Sequence, residues 1–367
     1  MSMRALWLAR ADLERRPGGD TTQLLETRAA LERLGVRVQL YDNPAAPIRD
    51  ADVVHLWHLD RLWETLPACR RAQEAKVPAV LSTIYWSSPE FDRLGRTPWQ
   101  RRLVRRDGAD ALRTARVMTR WRIQRLMRPH AFPWEPGLSE FRAGVRTVLD
   151  AVSVILPNSH AELEQITSVF GPPRAAVVVP NAVDPQQFCA ADVTTERRGV
   201  LCVGRIEPRK NQLNLVRALR DMDEPLDVVG RAGRFNFAYA RRCRRSAGPR
   251  TRFLGPRSPA QLAALYRQAR VHACVSWYET PGLASLEAAA AGCSVVVTPG
   301  GCTREYFGDD AFYCQPDDLA SIRRAVDAAL ISRRSPALAK RVAADYTWEN
   351  AARQTLEAYE IAVGAGA

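Results

Sequence analysis

The stretch Trp277-Tyr278-Glu279-Thr280-Pro281-Gly282-Leu283-Ala284-Ser285-Leu286-Glu287-Ala288-Ala289-Ala290-Ala291-Gly292 decides how this chain is read. An apolar run at 272–276 precedes it and another at 293–298 follows it, so the order strand, turn, helix, strand is expected. Pro281 suits the first helical position, where a missing N–H costs nothing, and Gly282 lets a ligand come close to the backbone. The free amides of Gly282, Leu283 and Ala284 would then point at an anion.

Glu279 and Glu287 lie eight residues apart, the first just ahead of the helix and the second inside it. At helical rise and twist they project from similar faces about 12 Å apart, with the positive helix terminus between them. A nucleotide diphosphate-sugar carries hydroxyls at its sugar, hydroxyls on its ribose and two phosphates between, an order that matches carboxylate, amides, carboxylate. In a chain with 40 acidic residues such a pair also arises by chance on a solvated helix face. Hydrolysis by paired carboxylates is disfavoured, because about 12 Å exceeds either usual separation.

The same half of the chain repeats the pattern, with expected strands at 199–204, 226–230, 252–255, 272–276 and 293–298. The loop after the first reads Gly204-Arg205-Ile206-Glu207-Pro208-Arg209-Lys210-Asn211. Lysine occurs only at 76, 210 and 340 among 53 cationic residues, so Lys210 is not what the chain's habits supply by default. Arg231 and Arg257 follow the next two strands and are candidates to flank a base, and the glycine loop 300–305 is a candidate to approach a sugar.

The 279–287 spacing and the 204–211 loop resemble the E-x7-E and G-R-x4-K motifs of retaining glycosyltransferases of family 4, also called group 1, which have the GT-B fold: two Rossmann-like α/β domains with parallel sheets facing across a cleft. The resemblance implies that Arg205 and Lys210 clamp a donor pyrophosphate, that Glu279 orients the donor sugar, and that Glu287 holds the ribose. It further implies transfer of a sugar, with retention, from a nucleotide diphosphate-sugar to a glycan or lipid-linked acceptor, in bacterial surface-polysaccharide assembly. Neither a cofactor nor a metal is expected; Asp221-Met222-Asp223 matches D-x-D but lies between a helix and a strand, away from the phosphate loops. This chain departs from the family at Pro281, where an aromatic residue is usual.

The first half alternates in the same way, with expected strands at 4–9, 36–41, 52–57, 78–83 and 151–156 and a further one at 177–179. Gly18-Gly19, after the first strand, is a candidate phosphate loop. Ile84, Tyr85 and Trp86 stand where the family often has a sugar-facing His, and His55 and His58 are the nearby alternatives, each read more readily as structural. Ser159 is expected to cap a helix. The implied domains are 1–190 for the acceptor, with a basic helical insert at about 87–140, then 191–346 for the donor. A linker falls at 190–198, and a final helix at 347–367 crosses back.

The insert carries ten Arg and two Asp between Trp99 and Arg128, with apolar residues at helical steps and a break expected near Gly108. It reads either as a core-facing helix with a charged outer face or as a peripheral contact with an anionic membrane through 99–128. The net charge of +13 favours an anionic partner, and a nucleic-acid-binding protein is the reading from another class. No nucleic acid is expected, since the charge comes largely from the insert and no nucleic-acid fold signature occurs. An epimerase on the same fold is the other enzymatic alternative. Eight Cys without a C-x-x-C pair read as reduced core thiols. With no apolar run of membrane-spanning length, a cytoplasmic protein, peripheral on the inner face of the membrane, is expected.

Overall fold

A computed structural model describes residues 3–15, 17–43, 46–189, 196–233, 235–280, 282–332 and 336–365. The chain forms two units: Met1–Ser87 with Arg102–Asn181 and Trp348–Ala367, and Ser88–Arg101 with Ala182–Thr347. The insert is thereby divided, its first residues packing with the second unit. Residues 190–195 of the expected linker lie outside the described residues, and Arg198 already begins a strand.

The first unit holds a five-stranded parallel sheet of β1 (Arg4–Leu8), β2 (Arg37–Tyr41), β3 (Val53–Trp57), β4 (Ala79–Ser82) and β5 (Val154–Leu156), in the order β2-β1-β3-β4-β5. The inner strands β1, β3 and β4 are almost wholly buried because helices cover both faces of a parallel sheet, whereas the edge strand β2, Arg-Val-Gln-Leu-Tyr, alternates exposed and buried positions. Leu6, Val54, Leu81 and Ile155 pack with Trp63, Phe132, Phe141 and Val148 in one core. The expected strand at 177–179 is not formed. Val177 N–H donates to the Ile155 carbonyl (3.0 Å) and Val179 N–H to that of Pro157 (2.8 Å), beside the sheet edge, but Pro157, lacking an N–H, cannot return the bond to Val177 that would continue the ladder. The insert helix Pro98–Met127 is broken at Gly108, whose φ of 82° and ψ of 165° no helix accommodates. Ser159 caps the helix His160–Phe170 by accepting from the Glu162 amide at 2.9 Å.

The second unit holds a six-stranded parallel sheet of β6 (Arg198–Val203), β7 (Leu226–Val229), β8 (Thr251–Gly255), β9 (Ala269–Cys274), β10 (Ser294–Val297) and β11 (Phe312–Tyr313), in the order β11-β10-β9-β6-β7-β8. Its core joins Val200, Val228, Val271 and Val296 to Leu215, Val216, Ile322 and Val326. All eight cysteines are free thiols and seven are buried; burial pushes Cys69 and Cys314 up to about 12, so they behave as apolar core residues.

Candidate active site

The site is built where β6 and β9, neighbours at the centre of the second sheet, release their chains at their carboxyl ends. After β6, Gly204 (φ 151°) opens a loop that closes through the 3-10 turn Pro208–Lys210 and Asn211, which sits in the left-handed region (φ 58°) that Asn tolerates. The Asn211 Nδ2 donates to the carbonyls of Val275 (3.1 Å) and Pro316 (2.7 Å), and Gln212 Nε2 donates to that of Arg205 (2.8 Å). These bonds tie the cationic loop to the end of β9.

Beyond β9 the backbone runs against the 300–302 loop: Glu279 N–H donates to Gly300 (3.2 Å) and Cys302 N–H to Glu279 (2.9 Å). A Cβ on Gly301 would stand 2.0 Å from the Glu279 carbonyl oxygen, so only glycine admits this approach. The outcome is a buried Glu279 whose Oε1 receives Lys210 Nζ at 2.6 Å and Ser276 Oγ at 2.5 Å, with Arg209 Nη1 3.5 Å from Oε2. Burial alone would raise this carboxyl, but Lys210 and Arg209 override it and hold it down to about 2. Glu279 is therefore an anion at neutral pH, fitted to accept hydrogen bonds and not to donate a proton.

The helix Leu283–Ala290 starts beside that carboxylate. Gly282 caps it at φ 87°, and a Cβ there would lie 3.4 Å from Glu279 Cγ. Pro281 lies outside the described residues, and the first helical residue is Leu283. The amides of Gly282, Leu283 and Ala284 have no carbonyl within their own helix to bond, so the positive helix terminus adjoins the Lys210–Glu279 pair. One turn further, half-buried Glu287 accepts from Tyr266 Oη at 3.0 Å; burial outweighs that bond and pushes its carboxyl up to about 7.

The structure thus brings together Gly204, Lys210, Glu279, Gly282, Leu283 and Ala284, the Lys210 stem passing 3.7 Å from where a Gly204 Cβ would stand. Arg205 is more exposed, its guanidinium 3.7 Å from Glu207. Arg231 and Arg257 sit past the ends of β7 and β8 and are exposed; Arg257 Nη1 donates to the Pro256 carbonyl. Sequence reasoning missed Arg209, which bonds the Tyr278 carbonyl (3.2 Å), covers the Tyr278 ring at 5.3 Å and pairs with Glu207 (3.2 Å). It also missed the π-helical turn Phe91–Gly95 of the insert, whose Phe91 ring meets Tyr278 edge-on at 5.9 Å.

In the first unit, Gly18 precedes the helix Gly19–Arg33 with extended backbone, and its N–H donates to Thr21 Oγ1 at 3.1 Å. Beside it Arg10 pairs with Asp20 (2.6 Å), which also meets His58 Nε2 (3.1 Å). His55 is a core residue: its ring bonds Tyr359 Oη (2.8 Å) and Ser82 Oγ (2.9 Å), and burial pushes it down to about 3, so it stays neutral. At the end of β4, Ile84 is held at φ 42°, a costly conformation for a β-branched residue. Glu162 holds this corner, accepting from the amides of Tyr85 (2.7 Å) and Asn158 (2.9 Å).

Comparison with known proteins agrees with the chemistry of this cluster. Residues 187–345, which contain it, match the family model described as glycosyl transferases group 1. A glycogen synthase of Mycobacterium tuberculosis is 30% identical over 211 residues, covering 53% of this chain and 51% of that protein, so the chain spans about half the length of that relative. A D-inositol 3-phosphate glycosyltransferase of Mycobacteroides abscessus is 26% identical over 336 residues, covering 77% and 70% respectively. The solved structure of Anabaena Alr3699/HepE in complex with UDP and glucose superposes with a TM-score of 0.66 at 16% identity, covering 97% of this chain and 98% of that one. The two parallel-sheet α/β units are those of the GT-B fold. Over residues 187–345, the segment that carries Lys210, Glu279 and Gly282, this chain is similar to the group 1 glycosyl transferases.

Proposed function

We propose that the protein is a retaining glycosyltransferase of family 4 that moves a sugar from a nucleotide diphosphate-sugar to a glycan or lipid-linked acceptor. The observation that carries this reading is the pairing of part-buried Lys210 with buried Glu279 beside the backbone of Gly282. As the bond from the anomeric carbon to the diphosphate breaks, its electron pair stays on the leaving diphosphate. Lys210, Arg205 and the amides of Gly282, Leu283 and Ala284 would stabilise that charge where water is excluded. Ionised Glu279 would accept hydrogen bonds from sugar hydroxyls and so orient the anomeric carbon. Glu287 would hold the ribose. The cations of the chain itself take the charge-neutralising role, so no metal is assigned one.

The names of the relatives point to a glucan and to an inositol phosphate as acceptors, and the complex of the Anabaena protein with UDP makes uracil the first base to test. Surface-polysaccharide assembly is the setting we infer from the basic insert. A thermal-shift panel of UDP-, GDP-, ADP- and TDP-sugars tests the donor, because only a ligand of the folded state raises the melting temperature. A rise with one base is expected; no rise with any member at millimolar concentration would overturn the reading.

A further inference from the structure

The second arm of the insert helix has two apolar faces, and the fold uses one of them. Val117 is buried, and Met118 and Trp121 pack against the core of the first unit. At 100° per residue, Ile123, Leu126 and Met127 fall on the opposite side within an arc of about 100°. They are 45%, 84% and 60% exposed, and Trp134, edge-on to Trp121 at 5.0 Å, is 45% exposed at the same end. Solvent normally meets a polar helix face here. Every charged residue from Ala111 to Trp134 is an Arg, six in all, of which Arg113 pairs with Asp110 (2.7 Å) and Arg116 with Asp60 (3.3 Å).

We propose that this end of the insert, Ile123, Leu126, Met127 and Trp134 with the exposed Arg122 beside them, is a docking surface for an anionic lipid bilayer. Short apolar side chains rimmed by arginines, with a Trp at the edge, suit the boundary between headgroups and acyl chains, where guanidinium groups stay with lipid phosphates while the apolar tips enter. No helix among the described residues is long and apolar enough to cross a membrane, so the contact is with the surface. The proposal goes beyond the transferase reading and does not depend on it.

The test is co-sedimentation of the full chain with phosphatidylcholine vesicles, with and without one quarter phosphatidylglycerol. Wild-type protein is expected to pellet with the anionic vesicles. Leu126→Ser/Met127→Ser should lower that partitioning at least tenfold and Arg122→Gln severalfold, with unchanged circular dichroism and unchanged nucleotide binding. Leu25→Ser, at a residue 47% exposed on another helix, is the control expected to bind as wild type. Equal pelleting of wild type and the double variant would overturn the proposal, by showing that net charge alone drives adsorption. So would a double variant that keeps its vesicle binding but loses binding to single-stranded RNA.

Discussion

Glu279 stands just ahead of the helix that holds Glu287, yet their surroundings push the two in opposite directions. For Glu279 the cations beat burial; for Glu287 burial beats a single hydroxyl. Because the folded-state value of Glu279 lies below 4.5, its contribution to stability is present above 4.5 and lost as pH falls through about 2. Glu287 behaves in reverse: its folded-state value lies above 4.5, so its contribution is full below 4.5 and lost as pH rises through about 7. Between pH 5 and 8 the wild type should therefore lose roughly 1–3 kcal/mol relative to Glu287→Gln. Denaturant melts of both proteins across that range check this, and a constant difference between them would contradict it. At Gly282 an alanine meets a left-handed backbone costing about 1–2 kcal/mol, so Gly282→Ala should weaken donor binding by about 5–30-fold, as calorimetry would measure. Lys210 was legible in the sequence because lysine is rare in this chain. Arg209 was not, because one more arginine among 50 carries no signal.

At the scale of elements, the parallel sheets were legible because strands buried on both faces must be continuous apolar runs, as β3, β4 and β10 are. The run at 177–179 looked the same but lies beside an edge strand and faces Pro157, which has no N–H to give it. The turn Phe91–Gly95 was invisible for a different reason. Its partner Trp277 is distant in sequence, and the constraint that a Cβ on Gly95 would meet the Trp277 ring nitrogen at 2.6 Å exists only in three dimensions. That turn presses Phe91 on Tyr278, which carries Arg209, which faces Glu279. An aromatic pair of this kind contributes about 0.5–1.5 kcal/mol, so Phe91→Ala should weaken donor binding about 2–12-fold. Phe91→Tyr should restore it. Donor affinity in Phe91→Ala equal to wild type would show that the insert has no hold on the site.

Across the whole molecule, the final helix Trp348–Gly364 belongs to the first unit, where Tyr359 Oη takes the Trp7 indole N–H at 2.8 Å and the His55 ring at 2.8 Å. A chain ended at Thr347 would leave those buried polar groups unpaired and uncover part of the core, so its first unit should not fold stably; Tyr359→Phe should cost about 1–3 kcal/mol in a denaturant melt. The second unit carries the central claim: a part-buried lysine, its buried glutamate partner and a helix terminus form one site for a nucleoside diphosphate. Calorimetric titration of the nucleoside diphosphate chosen by the thermal-shift panel, against wild type and Lys210→Ala, tests that claim most directly. We predict measurable binding to the wild type and a loss of at least tenfold in the variant, with its secondary structure intact. Equal affinity in the two proteins would contradict the account.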